Sequence, residues 1–139
     1  MNRKVQVWIH TLGADGRPRV LLLKTNPARG SFWQPVTGGL EAGETLEIAA
    51  LREATEETGL NFSGPPIPLG YEFTFPSRWA PNDVVEETAF TLQILSVAAV
   101  TLDPREHVEF QWLEPKQALS LLKFESNREA LNRLAGYLG

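Results

Sequence analysis

The chain contains no cysteine, which excludes a disulfide framework, a thiolate zinc site and thiol catalysis. No apolar run approaches the roughly 18 residues of a membrane-spanning helix, so no membrane contact is expected. The first ten residues, MNRKVQVWIH, have neither the apolar stretch nor the cleavage site of a signal peptide. These absences predict a cytoplasmic protein.

Basic residues are in the minority. The chain has 13 Lys and Arg against 17 Asp and Glu, which gives a net charge of −4 and a pI near 5.2. Because proteins that bind a nucleic-acid backbone usually present a basic face, no nucleic-acid partner is expected. An anionic ligand held through metal ions is compatible with this charge. The 139 residues, 42% of them hydrophobic, predict one domain spanning residues 1–139.

The most informative stretch runs from Phe32 to Leu60, FWQPVTGGLEAGETLEIAALREATEETGL. Residues 45–58 predict a helix, because Thr45 is a suitable N-cap and Gly59 suits the left-handed position that follows a helix. Ahead of it, glycines at 38 and 39 let the backbone approach a ligand or metal closely, since glycine has no Cβ. The stretch therefore joins a close-approach loop to a helix.

Three carboxylates crowd one side of that helix. Glu53 and Glu57 are four residues apart and Glu56 lies beside Glu53, so the three share an arc of roughly 100°. Like charges this close repel and raise one another's pKa, an objection that a bound divalent cation removes. Oxygen ligands favour Mg²⁺, with Mn²⁺ as a substitute, over zinc. The alternative is a solvated acidic face without a ligand.

An arginine accompanies these carboxylates. Arg52 is four residues before Glu56 and eight after Glu44, so its guanidinium can reach either and fix the orientation of a carboxylate. Arg52 is therefore a catalytic candidate that works by positioning. Together with the entry glycines and the Gly59 stop, it favours a metal site over the solvated face.

These residues match a known signature. Every fixed position of the Nudix box, Gly-x5-Glu-x7-Arg-Glu-U-x-Glu-Glu-x-Gly-U with U apolar, is filled, by Gly38, Glu44, Arg52, Glu53, Ala54, Glu56, Glu57, Gly59 and Leu60. The chain thus resembles the Nudix hydrolases. Similarity to the bacterial members that act on dihydroneopterin triphosphate, in folate biosynthesis, extends over four short segments: Phe32–Gly38, Glu106–Val108, Trp112–Leu113 and Ser126–Arg128.

The resemblance implies an α/β fold, the Nudix α/β/α sandwich with a mixed central β-sheet. It implies attack by water on phosphorus, with Mg²⁺ polarising the phosphoryl oxygens and stabilising the leaving group. By position, the implied metal ligands are the carboxylates of Glu53, Glu56 and Glu57 and the carbonyl of Gly38. Glu44 and Gly59 belong to the motif as structural residues.

The resemblance also implies a further glutamate outside the box, as a general base or a metal ligand. The matching position is Glu106, with Glu41 and Glu109 as weaker candidates. If none of these is the base, Glu53 of the box is the first candidate. His107 is expected to pack or to form hydrogen bonds rather than to act as a base.

The implied substrate is a small nucleoside or pterin triphosphate, cleaved to the monophosphate and pyrophosphate. Its organic end needs a flat apolar pocket with a few polar groups. The main candidates to bind it are Trp33, Arg78, Trp79 and Arg128. Further candidates are Tyr71, Phe75 and Asn127. Each aromatic alone is more often part of a core. The segment 78–90 is shorter than in the similar enzymes. Because it lies where a substrate loop is expected, the identity of the substrate is left open.

Several alternatives therefore stand. Within the enzyme class these are (d)NTP house-cleaning, hydrolysis of a dinucleoside polyphosphate and action on an RNA 5′ end, and the acidic pI disfavours the last. From another class, the chain could be a non-catalytic sensor of a nucleotide metabolite. Such modules typically lose box carboxylates, and this chain has all of them. Both a monomer and a homodimer are open.

The remaining pattern predicts strands and two terminal helices. The predicted strands are Val5–Leu12 (half-buried), Val20–Leu23 (buried on both faces), a short one at Phe32–Trp33, Tyr71–Phe75, Thr88–Val97 and Val108–Leu113. Pro76–Asp83 is predicted to be a loop. One helix is expected to open at Glu114-Pro115, and a capping box at Ser126–Glu129 is expected to open the last.

Overall fold

One mixed β-sheet with helices on both faces makes up the fold. The computed structural model describes residues 2–80 and 82–139. Its elements are β1 (Asn2–Leu12), β2 (Pro18–Thr25), β3 (Trp33–Gln34), β4 (Val36–Gly39), α1 (Leu46–Thr58), β5 (Ile67–Pro76), β6 (Val84–Gln93), β7 (His107–Leu113), α2 (Pro115–Leu121) and α3 (Glu125–Leu138). A 3₁₀ turn, Pro27–Arg29, follows β2.

The central strand is β1, which runs parallel to β6 and antiparallel to β2 and β4. It is buried at every position from Val5 to Thr11, so the prediction of a half-buried strand was wrong. Its inward polar groups are tolerated because they are hydrogen-bonded. Gln6 donates to Glu87, and the ring Nδ1 of His10 lies 2.8 Å from the hydroxyl of Thr91.

The sheet opens between β1 and β2. β1 pairs with β2 only at His10–Leu12, and the gap beyond that point is filled by residues 33–39. There β3 pairs with β2, and β4 pairs with β1, with Gly38 opposite Val5. The outer edge of β2 carries β7. This arrangement brings the glycine segment and the start of β7 to the same region of the molecule.

Two cores flank the sheet. On one face α1 contributes three alanines, whose small side chains let the helix approach the sheet closely: Ala49, Ala50 and Ala54. On the other face, residues of α2 and α3 pack around Trp8 and Val20. The α/β/α sandwich with a mixed sheet, expected from the Nudix resemblance, is confirmed.

Helix α1 begins and ends as predicted. The Thr45 hydroxyl accepts a hydrogen bond from the backbone N–H of Ile48 at 3.2 Å, which satisfies one free donor of the first turn. Gly59 closes the helix with φ 69°, a left-handed conformation that favours glycine.

The C-terminal helices differ in how they start. α2 begins at Pro115, as predicted, and Glu114 and Gln117 form a reciprocal capping box. α3 begins at Glu125, so Ser126 lies inside its first turn and the predicted capping box is wrong. Phe124 holds the N-cap position, and its ring packs edge-to-face on Phe32 at 5.3 Å. The N-cap of α3 therefore has no side-chain hydrogen bond.

Strand β6 occupies Val84–Gln93, four residues before the predicted Thr88–Val97. Glu86 and Glu87 obscured its start, although Glu87 is buried in the strand. The predicted Pro76–Asp83 loop lies mainly at residues 77–83, with Pro81 outside the described residues. Within the described ranges, none of the helices is long and apolar enough to span a membrane.

Candidate active site

Arg52 connects the middle of α1 to the loop that precedes the helix. Its Nε and Nη2 donate to the two carboxylate oxygens of Glu44, at 2.6 and 2.9 Å. Nη2 also donates to the carbonyl of Gly39 at 2.9 Å. The guanidinium holds the pKa of Glu44 below its usual range. The planar fork thus holds one carboxylate with both arms and fixes the glycine segment beside α1.

The remaining nitrogen of the fork, Nη1, faces three more carboxylates. It donates to Glu53 at 2.6 Å and to Glu56 at 3.3 Å, and lies 3.6 Å from Glu41. The hydrogen bond to Glu44 is the main reason that the pKa of Arg52 lies above its ordinary value. The Arg52 guanidinium is therefore surrounded by a ring of four carboxylates, those of Glu41, Glu44, Glu53 and Glu56. Glu44 and Glu56 are the two that the sequence predicted to be within its reach.

Glu53 turns toward β4. Its carboxylate occupies the space that a side chain at residue 38 would fill, since a Cβ built on Gly38 would overlap it. A glycine at this position is therefore required for the carboxylate to reach the backbone of β4.

Glu57 is the buried carboxyl of the set, with 3% of its surface exposed. Burial, and then a hydrogen bond with Glu53, raise its pKa to about 10. The Oε2 atom is buried without a hydrogen-bond partner. A buried carboxyl with an unpartnered oxygen is costly, and a cation at that oxygen would remove the cost.

Glu106 approaches Glu57 from the turn before β7. Its carboxylate pairs with the guanidinium of Arg29 at 3.3 Å. Glu57, Glu106 and His107 each present one ligand atom, and the three atoms lie within 4.8 Å of one another. The structure thus brings the predicted glutamate outside the box next to the box helix.

His107 is the residue between Glu106 and the rest of β7, and it is buried. Its Nε2 lies 3.0 Å from the amide nitrogen of Gln34, while its Nδ1 lies 3.9 Å from Glu57 Oε1 and has no hydrogen-bond partner. Burial, and then the charge of Arg29, lower the pKa of His107 to about 4. The imidazole is therefore neutral near pH 7. The expectation that His107 packs or forms hydrogen bonds rather than acting as a base stays a prediction.

The four predicted substrate residues fall into two groups. Arg78 and Trp79 line a cavity of about 550 Å³, and the Trp79 ring is 89% exposed. Arg3 and Lys4 of β1 also line it, together with the loop that continues from Gly39. The cavity therefore borders the segment that Arg52 fixes, and its charged lining residues are Arg3, Lys4 and Arg78 with Glu41.

Trp33 and Arg128 lie elsewhere. Trp33 is half-buried, packs against the core under α2 and α3, and forms a bridge with Leu122. Arg128 donates to the carbonyl of the same Leu122 at 2.9 Å and pairs with Glu125. Neither side chain lines the 550 Å³ cavity. Their predicted contact with substrate stays a prediction.

Sequence reasoning gave no role to Arg29, Gln34, Arg3 or Lys4. The first two become relevant only through the pairing of β2 with β3 and β7, and no local spacing signals it. Glu109, a weaker candidate for the additional glutamate, lies on β7 and pairs with Lys24 at 3.5 Å, away from the carboxylate ring.

The residues present fit a divalent cation that prefers oxygen. Glu53 is hydrogen-bonded to Glu57, whose Oε2 is buried and unpartnered, and Glu106 adds another carboxylate. This donor set suits Mg²⁺ or Mn²⁺. No ligand set of thiolates is available, because the chain has no cysteine.

Comparison with known proteins finds similarity to one family. A family model described as NUDIX domain matches residues 2–134. The chain is 32% identical over 142 residues to the dihydroneopterin triphosphate diphosphatase of Haemophilus influenzae, a match that covers 95% of this chain and 86% of that protein. The solved E. coli dihydroneopterin triphosphate pyrophosphohydrolase superposes with a TM-score of 0.79 at 28% identity, over 97% of this chain and 95% of that one.

A longer protein is similar as well. An octanoyltransferase of Myxococcus xanthus is 42% identical over 122 residues, which are 87% of this chain and 33% of that protein. The chain therefore spans about a third of that relative's length.

Proposed function

Because the chain belongs to the NUDIX family and is a hydrolase of that family, we propose that it cleaves a nucleoside-like triphosphate to the monophosphate and pyrophosphate, with Mg²⁺ as cofactor. Nudix hydrolases act on small nucleotide-linked substrates. Dihydroneopterin triphosphate is the preferred candidate, which would place the enzyme in folate biosynthesis. Support comes from the 32% identity to the dihydroneopterin triphosphate diphosphatase of H. influenzae.

The observation that carries the proposal is the arrangement around Arg52 and Glu57. One guanidinium orients Glu44, Glu53 and Glu56, and a buried carboxyl at Glu57 has an unpartnered oxygen. Non-catalytic modules of this fold typically lose box carboxylates, and this chain has all of them. The complete set therefore supports hydrolysis over a sensor function.

In this proposal Glu53, Glu56 and Glu57, with the Gly38 backbone, hold the cation. When bound, Mg²⁺ supplies Lewis-acid stabilisation of the phosphoryl charge. Glu106 receives a proton from the attacking water as the oxygen of that water bonds to phosphorus. The anhydride P–O bond then breaks, and pyrophosphate leaves. Arg29 orients the Glu106 carboxylate through its 3.3 Å contact.

The cavity beside Gly39 is the proposed site for the rest of the substrate. Arg3, Lys4 and Arg78 supply positive charge, while Phe75 and Trp79 supply aromatic surface. A polyphosphate or a flat heterocycle suits such a lining. The cavity continues from the segment that Arg52 holds, so a single ligand can extend from the carboxylates into it.

The test is a Mg²⁺-dependent screen of pterin, purine and pyrimidine triphosphates and of dinucleoside polyphosphates, with pyrophosphate and phosphate separated. We expect pyrophosphate release, fastest from the pterin, and loss of turnover in Glu56→Gln and Glu57→Gln. Binding of substrates without turnover would favour the sensor. Release from a purine or pyrimidine triphosphate alone would favour nucleotide house-cleaning.

The boundaries of the domain (1–139), a cytoplasmic location and the choice between monomer and homodimer stay predictions. The match of the family model to residues 2–134 supports the single domain.

A further inference from the structure

We propose that His107 is a positioning residue for the metal-binding carboxylate of Glu57, through a hydrogen bond from its Nδ1–H that Gln34 makes available. The inference rests on the proposed function, because it assigns Glu57 to the metal site. It concerns three residues from three elements: Glu57 of α1, His107 of β7 and Gln34 of β3.

Two neighbouring buried side chains each carry a polar atom without a hydrogen-bond partner. In the residues that the structure describes, the buried side-chain atoms without a hydrogen bond are Glu57 Oε2, His107 Nδ1 and Thr88 Oγ1. The first two belong to neighbouring side chains, since Glu57 Oε1 and His107 Nδ1 are 3.9 Å apart. Buried polar groups are nearly always paired in folded proteins, so two orphans side by side indicate an arrangement completed by a ligand.

The tautomer of His107 follows from Gln34. The amide nitrogen of Gln34 can only donate, so at 3.0 Å from His107 Nε2 it requires that Nε2 accept. A neutral imidazole carries one proton, which must then be on Nδ1. That N–H is on the side of Glu57. A protonated Nδ1 can donate a hydrogen bond to a carboxylate but cannot ligate a metal ion.

The backbone of β7 is irregular at this residue. Glu109 pairs with Lys24 and His107 pairs with Thr25, so Val108 is an extra residue in the strand, a β-bulge. Without it, alternation would place Val108 on the side of Phe110 and Trp112, which pack toward α1. Instead Val108 is 47% exposed and His107 is buried. The bulge thus exchanges an apolar side chain for an imidazole beside Glu57.

Packing alone is the competing explanation, and paired substitutions separate the two. Asparagine places an amide nitrogen where His107 has Nδ1, whereas glutamine places it where His107 has Nε2. Glutamine is closer to histidine in size. A packing role therefore favours His107→Gln, and a hydrogen-bond role favours His107→Asn.

The experiment measures the Kd of Mn²⁺ by the EPR signal of the free ion, in the full chain, with unfolding temperatures in EDTA as a check of folding. We expect His107→Asn to stay within a few-fold of wild type. We expect His107→Gln to bind about 10–100-fold more weakly, as is typical when a residue that orients a metal ligand is lost. Equal affinities, or the reverse order, would overturn the inference.

Gln34→Leu gives a second arm. Leucine has no donor for Nε2, so the imidazole proton is no longer held on Nδ1, and the charge of the site is unchanged. We expect weaker Mn²⁺ binding than in wild type, and no such loss when the same change is made in His107→Asn. Tighter binding in Gln34→Leu would mean that His107 ligates the metal, which overturns the inference.

The tautomer itself can be observed without any variant. A long-range ¹H–¹⁵N spectrum of the metal-free protein should show the proton of His107 on Nδ1, and a proton on Nε2 contradicts the inference even if no variant folds. Failure of the proposed function is distinguishable from failure of the inference. If Glu57→Gln binds Mn²⁺ as tightly as wild type, the metal site is misplaced and both fail. If Glu57→Gln weakens Mn²⁺ binding while the His107 variants bind equally, only the inference fails.

Discussion

The carboxylate of Glu53 lies against the backbone of Gly38, in the space that a Cβ at residue 38 would occupy. Gly38→Ala should therefore displace Glu53 and destabilise the fold, since overpacking of this kind costs about 1–3 kcal/mol. Turnover should fall as well, because the carboxylate leaves its place on Arg52. Urea unfolding and steady-state kinetics measure both effects.

The neighbouring glycine is the control for that change. A Cβ on Gly39 would meet the carbonyl oxygen of Arg3 at 3.9 Å, an ordinary contact. Gly39→Ala should therefore be close to wild type in stability. If the two alanine variants behave alike, the close approach of Glu53 to residue 38 is not what fixes the carboxylate.

Arg52→Lys should lower kcat by about 10–100-fold, the usual loss when a residue that orients metal ligands is changed. Lysine keeps the charge but cannot grip both oxygens of Glu44 while it reaches Glu53. Arg105 is a matched control, because it forms a two-armed pair with Asp103 on the surface, at 88% exposure. Arg105→Lys should leave kcat unchanged, and wild-type kcat in Arg52→Lys would make its fork irrelevant.

Glu106→Gln should reduce turnover by about 10²–10⁴-fold, the range of a general base. Substrate binding should weaken much less, because the box carboxylates are intact. Glu109→Gln serves as the comparison, since that carboxylate pairs with Lys24. Should Glu109→Gln carry the large loss, Glu106 is not the base, and if neither variant loses activity, Glu53 becomes the candidate.

Stability should depend on pH through Glu87. The side chain is 5% exposed, and burial raises its pKa above the ordinary 4.5. A carboxyl with a raised folded-state pKa contributes stability below about pH 4.5 and loses it as pH rises toward the folded-state value. The free energy of unfolding of wild type, relative to Glu87→Gln, should therefore fall from pH 4 toward pH 7, by up to about 1.4 kcal/mol per pH unit.

Urea unfolding in EDTA at both pH values measures this difference. Glu86→Gln, on the same strand and half-exposed, controls for the loss of one negative charge. A constant difference between wild type and Glu87→Gln across this range would show that Glu87 is charged in the folded protein.

Local sequence signals predicted the parts of the site that are local in the chain. Helix α1, its cap at Thr45, its stop at Gly59 and the reach of Arg52 to Glu44 all follow from spacings of eight residues or fewer. These features depend on helix geometry, which is the same in every protein. The resemblance to Nudix hydrolases extended the prediction to the sandwich fold.

The parts that depend on strand register were not predictable. The bulge at Val108 has no sequence signature, and it decides that His107 rather than Val108 faces α1. The start of β6 was missed because a glutamate such as Glu87 is usually exposed. Here Glu87 is buried and accepts a hydrogen bond from Gln6, which is far away in sequence. In both cases the partner that makes the choice favourable is more than 70 residues away.

The long separation between these partners has a consequence for folding kinetics. Gln6 and Glu87 are 81 residues apart in the chain, and Gln34 and His107 are 73 apart, with α1 inside both loops. Non-local pairs form slowly because the entropy of loop closure is lost before the contact contributes any stabilisation. The arginine network on α1 can therefore assemble early, whereas Glu106 and His107 reach Glu57 only when β7 docks on β2. Tight metal binding should accordingly be among the last properties that a refolding chain acquires.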